Sequence, residues 1–339
     1  MLMCDLVAFN LDTSDCYRAM LTSRAFHRVF SRAPLHRHIE VPDTRPIGLV
    51  CQLLYDRLCA APEVGKWIRL YSLANTFRDL DNLLGILGPE AYNYLLSWQL
   101  LPRMPNLVTF CAPHFPAWYA PDLISARMQD IVNRQALVSV SLANDYELAD
   151  ETLTLDRIRA LFTMPSLKEL CLESFTLRPF EISSSALGAT ILSLDLALCR
   201  CNIIDLDGFF SSFPNLDTLR LTDFSNIRQD ELIPCLLRRY RTLTSLNLHE
   251  MFEDSDASDV IGADWIAGFP MLENLAISGS GLGSTSLLYL TRRTVSVDVR
   301  SAAIDRGALA YAVSRWAKTG ELPQGAKYNV QYRMRIYET

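Results

Sequence analysis

The chain has 339 residues, of which 50% are apolar and 21% charged, with a formal net charge of −6. That composition excludes a disordered chain, which needs low hydrophobicity and high charge. The acidic balance argues against general binding to nucleic acid or to an anionic membrane surface, and no apolar run approaches the roughly 20 residues of a membrane span.

Residues Met1 to Asn10 are apolar but carry Asp5 and no basic residue, so they predict no secretory leader. The nine cysteines then read as reduced thiols of a cytoplasmic or nuclear protein, and an odd number excludes complete pairing within one chain. Asp12, Thr13, Ser14 and Asp15 are N-cap types at a helix start. A helix from Cys16 places Cys16, Ala19, Met20 and Ser23 on one side. A second helical stretch, Ser23 to Ser31, carries Phe26, Val29 and Phe30, and Pro34 ends it. Arg18, Arg24, Arg28, Arg32 and Arg37 stand between Tyr17 and His38 with no acid among them. On residue types alone, 1–41 is a small helical segment that caps the remainder of the chain, and 42–61 is a linker or capping helix.

From 62 to 305 the chain repeats itself. Met104-Pro105-Asn106-Leu107, Met164-Pro165-Ser166-Leu167, Phe213-Pro214-Asn215-Leu216 and Phe269-Pro270-Met271-Leu272 share one pattern. Three residues before each Met or Phe stands Leu101, Leu161, Phe210 or Ile266, a spacing that puts both on one face of a helical turn. Proline stops that turn and favours extended chain. The spacing Φ-x-x-Φ-x-Φ, with Φ apolar, then predicts a short strand with one buried face. It occurs at Ile68-Tyr71-Leu73, Leu107-Phe110-Ala112, Leu137-Val140-Leu142, Leu167-Leu170-Leu172 and Ile191-Leu194-Leu196. It recurs at Leu216-Leu219-Leu221, Leu243-Leu246-Leu248, Leu272-Leu275-Ile277 and Thr294-Val297-Val299. Successive first positions lie 39, 30, 30, 24, 25, 27, 29 and 22 residues apart. One such unit cannot bury its own apolar face, whereas stacked copies share a continuous core. In 306–339, Ala308 to Trp316 reads as a helix and Tyr328 to Met334 alternates like a strand. Both are expected to form a C-terminal cap.

Catalysis needs a nucleophile, a base and a stabiliser around one pocket, and no such set is evident. His36-x-His38 and Cys199-x-Cys201 are isolated pairs without a second pair at zinc spacing. Gly279-Ser280-Gly281 lacks the frame of a phosphate loop, and the acidic run from Glu253 to Asp259 lacks the glycine and final glutamate of a calcium loop. Arg238-Arg239-Tyr240-Arg241 reads as an exposed helix side with Leu237 and Tyr240 as core. No enzyme activity, cofactor or metal is expected.

The repeat pattern resembles leucine-rich repeats, whose units of 20–29 residues hold a strand and a helical piece. The resemblance implies an α/β solenoid of about nine repeats, with parallel strands on a concave face and helices outside. Irregular lengths and scarce asparagine at the ninth repeat position, which Cys199 occupies in its repeat, resemble the helix-backed intracellular type. On that architecture a partner would meet Lys168, Glu169, Asp195, Asp217, Arg220, Asn247, Glu273 and Asp298, with Asp223, His249, Glu250 and Arg300 just beyond the strands. Cys171, Thr218 and Asn274 fall in the same positions, and Glu173 just beyond. This polar, acid-leaning strip suits a folded protein or a basic peptide. Residues Cys16 to Val41 resemble the second half of an F-box, as in fungal F-box/leucine-rich-repeat proteins. The matching positions are Asp15, Leu21, Ser23, Arg24, Phe26, Val29, Phe30, Leu35 and Ile39. Pro62 to Arg69 looks like the linker and first repeat strand of that group. The F-box pattern is incomplete at its N-terminal side, where only Leu2 to Phe9 stand for the first helix. The resemblance implies the substrate-recognition subunit of an SCF-type cullin ubiquitin ligase. It would bind a Skp-type adaptor through Leu11, Tyr17, Leu21, Arg24 and Phe26, and an unidentified protein substrate through the strip. The alternative is a leucine-rich-repeat scaffold with no ligase role.

Overall fold

A computed structural model describes residues 38–40, 47–66, 68–72, 99–115, 131–132, 136–144, 155–178, 188–224, 227–249, 265–278, 296–300, 314 and 327–331. The chain divides into two compact units, 1–149 with 164–167 and 150–163 with 168–339.

In the first unit β1 (His38–Glu40), β2 (Leu70–Ser72), β3 (Thr109–Phe115) and β4 (Ser139–Asn144) lie side by side in chain order, all parallel. Two helices, α1 (Ile47–Ala60) and α2 (Pro62–Gly65), connect β1 to β2. Proline at the start of α2 sits where its missing N–H costs nothing. The β3–β4 register shifts between Ala112 and Phe115, around Pro113, which has no N–H to give the ladder. Ile68, Tyr71, Leu107, Phe110, Leu137, Val140 and Leu142 are buried, and the Tyr71 and Phe110 rings stack at 6.1 Å.

In the second unit β5 (Glu169–Glu173), β6 (Ser193–Ala197), β7 (Thr218–Thr222), β8 (Ser245–His249), β9 (Asn274–Ser278), β10 (Ser296–Arg300) and β11 (Lys327–Gln331) follow one another in parallel. Pairing is residue for residue: Leu170, Leu194, Leu219, Leu246 and Leu275 are successive partners, as are Leu172, Leu196, Leu221, Leu248 and Ile277. All ten are at most 4% exposed. Two strands escaped the sequence template. β1 lies within the segment read as helical, and its three residues are too few to show an alternation. β11, expected as part of a cap, continues the parallel order beside β10.

The strands begin at the third template residue, not the first, and the backbone shows why. At six strand entries a single carbonyl accepts two consecutive N–H groups from the next repeat. Arg69 O takes Val108 and Thr109 N at 2.8 and 2.9 Å, and Val108 O takes Val138 and Ser139 N at 2.8 and 3.1 Å. In the second unit Lys168 O takes Leu192 and Ser193, Leu192 O takes Asp217 and Thr218, Asp217 O takes Thr244 and Ser245, and Thr244 O takes Glu273 and Asn274. The extra residue at each entry leaves its first leucine buried but outside the ladder.

The Met/Phe-Pro turns form as spaced. Met104 N bonds Leu101 O, and Leu107 N bonds Met104 O, with Pro105 at the second turn position that suits its fixed φ. Before Met104 and Phe269 the turn is a 3-10 piece, Leu101–Arg103 and Trp265–Gly268, where residues three apart eclipse. The asparagines of two turns stitch repeats together: Asn106 Nδ2 donates to Lys66 O and Asn215 Nδ2 to Ala189 O, both at 2.8 Å. Among the described residues the backing is mixed, with α3 (Ile203–Phe210) and α4 (Gln229–Arg239) beside 3-10 segments such as Leu155–Thr163.

Three residues before the first leucine of a repeat stand Phe213, Tyr240 and Phe269, all buried, but also Gly188. Gly188 has φ +66°, and a Cβ there would meet the Phe213 ring and Ser212 O at 2.7 Å. The next repeat's phenylalanine thus fills the space this repeat leaves. Phe213 packs on Phe209 at 4.9 Å and on Phe162 at 5.8 Å. We expect Gly188→Ala to cost about 2–4 kcal/mol, from the left-handed backbone and the blocked ring. Urea denaturation checks this, and adding Phe213→Leu should recover part of the loss only if the ring contact causes it.

Candidate partner-binding face

Alternation puts the leucines of β5–β9 on one face, so the residues between them line the other. The Cα register sorts these into rows. The first holds Glu169, Ser193, Thr218, Ser245 and Asn274; the second Cys171, Asp195, Arg220, Asn247 and Ala276; the third Glu173, Ala197, Thr222 and His249. They are half-buried or exposed. In β10 the register sets Asp298 beside Ala276 and Arg300 beside Ser278.

Within the second row Arg220 Nη1 approaches Asp195 Oδ2 to 3.8 Å, with the Asp195 side chain 32% exposed. That distance is too long for a hydrogen bond, so the pair is a loose ion contact. Burial lifts the Asp195 carboxyl above its ordinary value, against the pull of the Arg220 charge. Of the other sequence-predicted residues, Asn247 shares this row beside Arg220, and Glu169 and His249 stand in the first and third rows. Lys168, Asp217 and Glu273 stand one residue ahead of their strands, in the row where Lys168 O and Asp217 O each accept two N–H groups. Asp223 follows β7 and gives its N–H to His249 O at 3.0 Å. It is one of three non-glycine residues with left-handed backbone among the described residues: Ser174 at φ 61°, Leu198 at 52° and Asp223 at 54° each follow a strand. The N–H of Ser174 reaches Ala197 O and that of Leu198 reaches Thr222 O, so the ladder holds a conformation that costs about 1–2 kcal/mol per residue. Glu250, and Leu11, Tyr17, Leu21, Arg24 and Phe26 of the adaptor-binding expectation, lie outside the described residues. So do the 253–259 acidic run and Gly279-Ser280-Gly281. The short floor residues Ser193, Ala197, Thr222, Ser245 and Ala276 were not singled out from the sequence, although the same alternation marks them.

The ninth repeat position is buried throughout the described repeats of the second unit: Phe175, Cys199 and Phe224 are at most 2% exposed. The Cys199 thiol donates to Leu172 O at 3.5 Å, and burial pushes its pKa well up. Cys201 is pushed up to about 12, first by burial and then by Asp205. Such thiols are poor nucleophiles and ligands. Among the described residues, no group of three His, Cys, Asp or Glu is placed to hold a metal ion. Nor is any described helix long and apolar enough to cross a membrane.

A second constellation sits on the helices. Asp207 of α3 accepts from Arg239 Nε at 2.7 Å and Nη2 at 2.9 Å, from Arg238 Nη2 at 2.8 Å and from Cys235 Sγ at 3.3 Å, all on α4. The Tyr240 hydroxyl donates to Phe210 O at 2.7 Å beside it. No local spacing announces a pair 32 residues apart. The arginine hydrogen bonds hold the Asp207 carboxyl well below the usual carboxylate range, and burial lifts Cys235 to about 12.

Parallel five-residue strands in register, one leucine-lined face and one polar face, and helical returns of variable length define an α/β leucine-rich-repeat solenoid. The sequence matches no protein-family model and no curated protein. Among solved structures the chain is similar to an internalin C2 of Listeria monocytogenes, with 14% identity and a TM-score of 0.32, over 61% of this chain and 84% of that one. It is also similar to an internalin inlF of the same organism, with 9% identity and a TM-score of 0.27, over 68% and 77%.

The Asp207 clamp carries a pH signature. A carboxyl whose folded pKa is depressed contributes stability that is present above its unfolded value, about 4, and is lost as pH falls through and below it. Asp207→Asn should therefore cost about 1–3 kcal/mol at pH 7, and the gap to the unaltered chain should shrink by pH 3. Denaturant titrations at both pH values test this; a gap unchanged at pH 3 would mean that the charge is not the source.

Proposed function

We propose that the chain is a non-catalytic protein-binding receptor, which captures a protein partner on the polar face of β5–β9. One observation carries this reading. The face is fully formed in backbone register, yet its side chains are mostly polar, half-buried or exposed, and turned away from the core that stabilises the fold. Polar side chains on a rigid sheet can recognise a partner at little ordering cost. The crosslinking test uses a photo-activatable residue in place of Asn247 on this face or Ile204 on α3, which is 77% exposed. The Asn247 probe should trap the partner in its host cell extract and the Ile204 probe should not; the reverse result rejects the face. Charge reversal at Asp217 and Arg220 should abolish the same capture while leaving thermal stability unchanged.

A finer reading rests on the resemblance of Cys16 to Val41 to an F-box. In that reading the receptor delivers its captured protein to an SCF-type cullin ubiquitin ligase, by binding a Skp-type adaptor through Leu11, Tyr17, Leu21, Arg24 and Phe26. Co-purification of the full chain with a Skp-type adaptor should then occur and be lost in Leu21→Asp. A folded chain that never retains the adaptor is a scaffold without a ligase role.

A further inference from the structure

We propose that the partner docks through a polar segment bearing arginine, whose guanidinium sits over β5 and β6 among Glu169, Glu173 and Asp195. This docking rests on the open-face reading of the proposed function and adds the partner's chemistry.

Register brings the acids together. Asp195 lies opposite Cys171, and Glu169 and Glu173 stand two residues to either side of Cys171. With strands about 4.8 Å apart and a rise of about 3.3 Å per residue, each glutamate lies diagonally about 8 Å from Asp195, so one planar cation can reach Asp195 together with either glutamate. Among the described residues of β5 to β9, the strands present these three carboxylates to the open face against one guanidinium, that of Arg220. The residues bordering the strands sharpen the imbalance, since Lys168 is set against Asp217, Asp223 and Glu273.

Charge alone would suit any cation, but the neighbours of Asp195 narrow the choice. Its one charged contact among the described residues is the 3.8 Å approach of Arg220, whose side chain is 50% exposed. The carboxylate is therefore half-withdrawn from water, partly compensated, and left with unused acceptor positions. Burial acting against ionisation at this residue is the energetic mark of that incomplete compensation. The flanking side chains are short: Ser193 and Ala197 on β6, Thr218 and Thr222 beside Arg220 on β7. A partner must therefore bring its charge down to the floor on a long stem, which arginine and lysine have. Arginine is favoured because its planar fork can serve two carboxylates at once, whereas an ammonium acts as a strongly hydrated point charge. No aromatic side chain lies in the three rows, other than the imidazole of His249 at their edge, which argues against an apolar anchor as the main contact. The excess of acids repels nucleic acid and acidic peptides.

The test uses the full chain at low ionic strength and a fluorescent peptide of repeated Gly-Ser-Arg, with lysine and glutamate counterparts, read by anisotropy. The arginine peptide should bind, the lysine peptide several-fold more weakly, and the glutamate peptide not at all. Asp195→Asn and Glu169→Gln should each weaken binding at least fivefold. Glu231→Gln on the exposed side of α4, which changes net charge equally, should weaken it less than twofold. Equal loss in all three variants would reduce the effect to net charge and overturn the proposal. Absence of arginine-peptide binding, with the Asn247 probe still trapping a partner that the peptide does not displace, would overturn the basic-partner chemistry and leave the open-face reading standing. If the partner is trapped from Ile204 alone, both fail together.

Discussion

Every strand here depends on its neighbours. A five-residue strand can make no hydrogen bond to itself, and its two or three leucines cover too little surface to stay dry alone. The backbone solves both problems laterally. Each inner strand of a unit bonds to the strand on either side, and at the entry one carbonyl, such as Asp217 O, accepts two N–H groups at once. That shared acceptor locks the register before the ladder begins. With the register locked, leucines stack on leucines from β5 to β8, and Tyr71, Phe110 and Val140 stack from β2 to β4; each such buried side chain contributes about 1.5–3 kcal/mol.

The same lateral dependence explains where the structure tolerates strain. Leu198 would avoid the left-handed region in isolation, but its N–H and the strand before it are both held by the adjoining repeat. Gly188 gives up a side chain so that Phe213 can enter its repeat. Asp207 on α3 is held by two arginines of α4, which repeats on the helix side the coupling that the carbonyls provide on the strand side. In each case a local cost is offset by a contact with the next repeat, as expected where nearest-neighbour terms dominate stability.

The strands were legible in the sequence because period-2 burial leaves a direct mark: Leu170-Leu172, Leu194-Leu196 and Leu219-Leu221 can be read from spacing alone. The Met/Phe-Pro turns were legible for the same kind of reason, since proline and an i, i+3 apolar pair dictate local geometry. Three things were not. The entry of each strand depends on a carbonyl in another repeat, so a first position such as Ile191 looks like part of the strand although it precedes it. β1 is too short to carry a pattern. The Asp207–Arg239 clamp joins residues that no window spans. The polar face lies between: the alternation marks its residues, but the 3.8 Å approach of Arg220 to Asp195 needs the register of two strands.

From β5 to β9 successive strands start 24, 25, 27 and 29 residues apart, yet they pair without slipping. Small insertions or losses in a connection are absorbed at the back and leave the polar rows untouched. One residue gained inside a strand would exchange its wet and dry sides. Duplication of a whole repeat would instead lengthen every row by one residue, about 4.8 Å, and leave the rest in place. The polar face can therefore grow or shrink by whole genetic units while its existing rows are inherited intact.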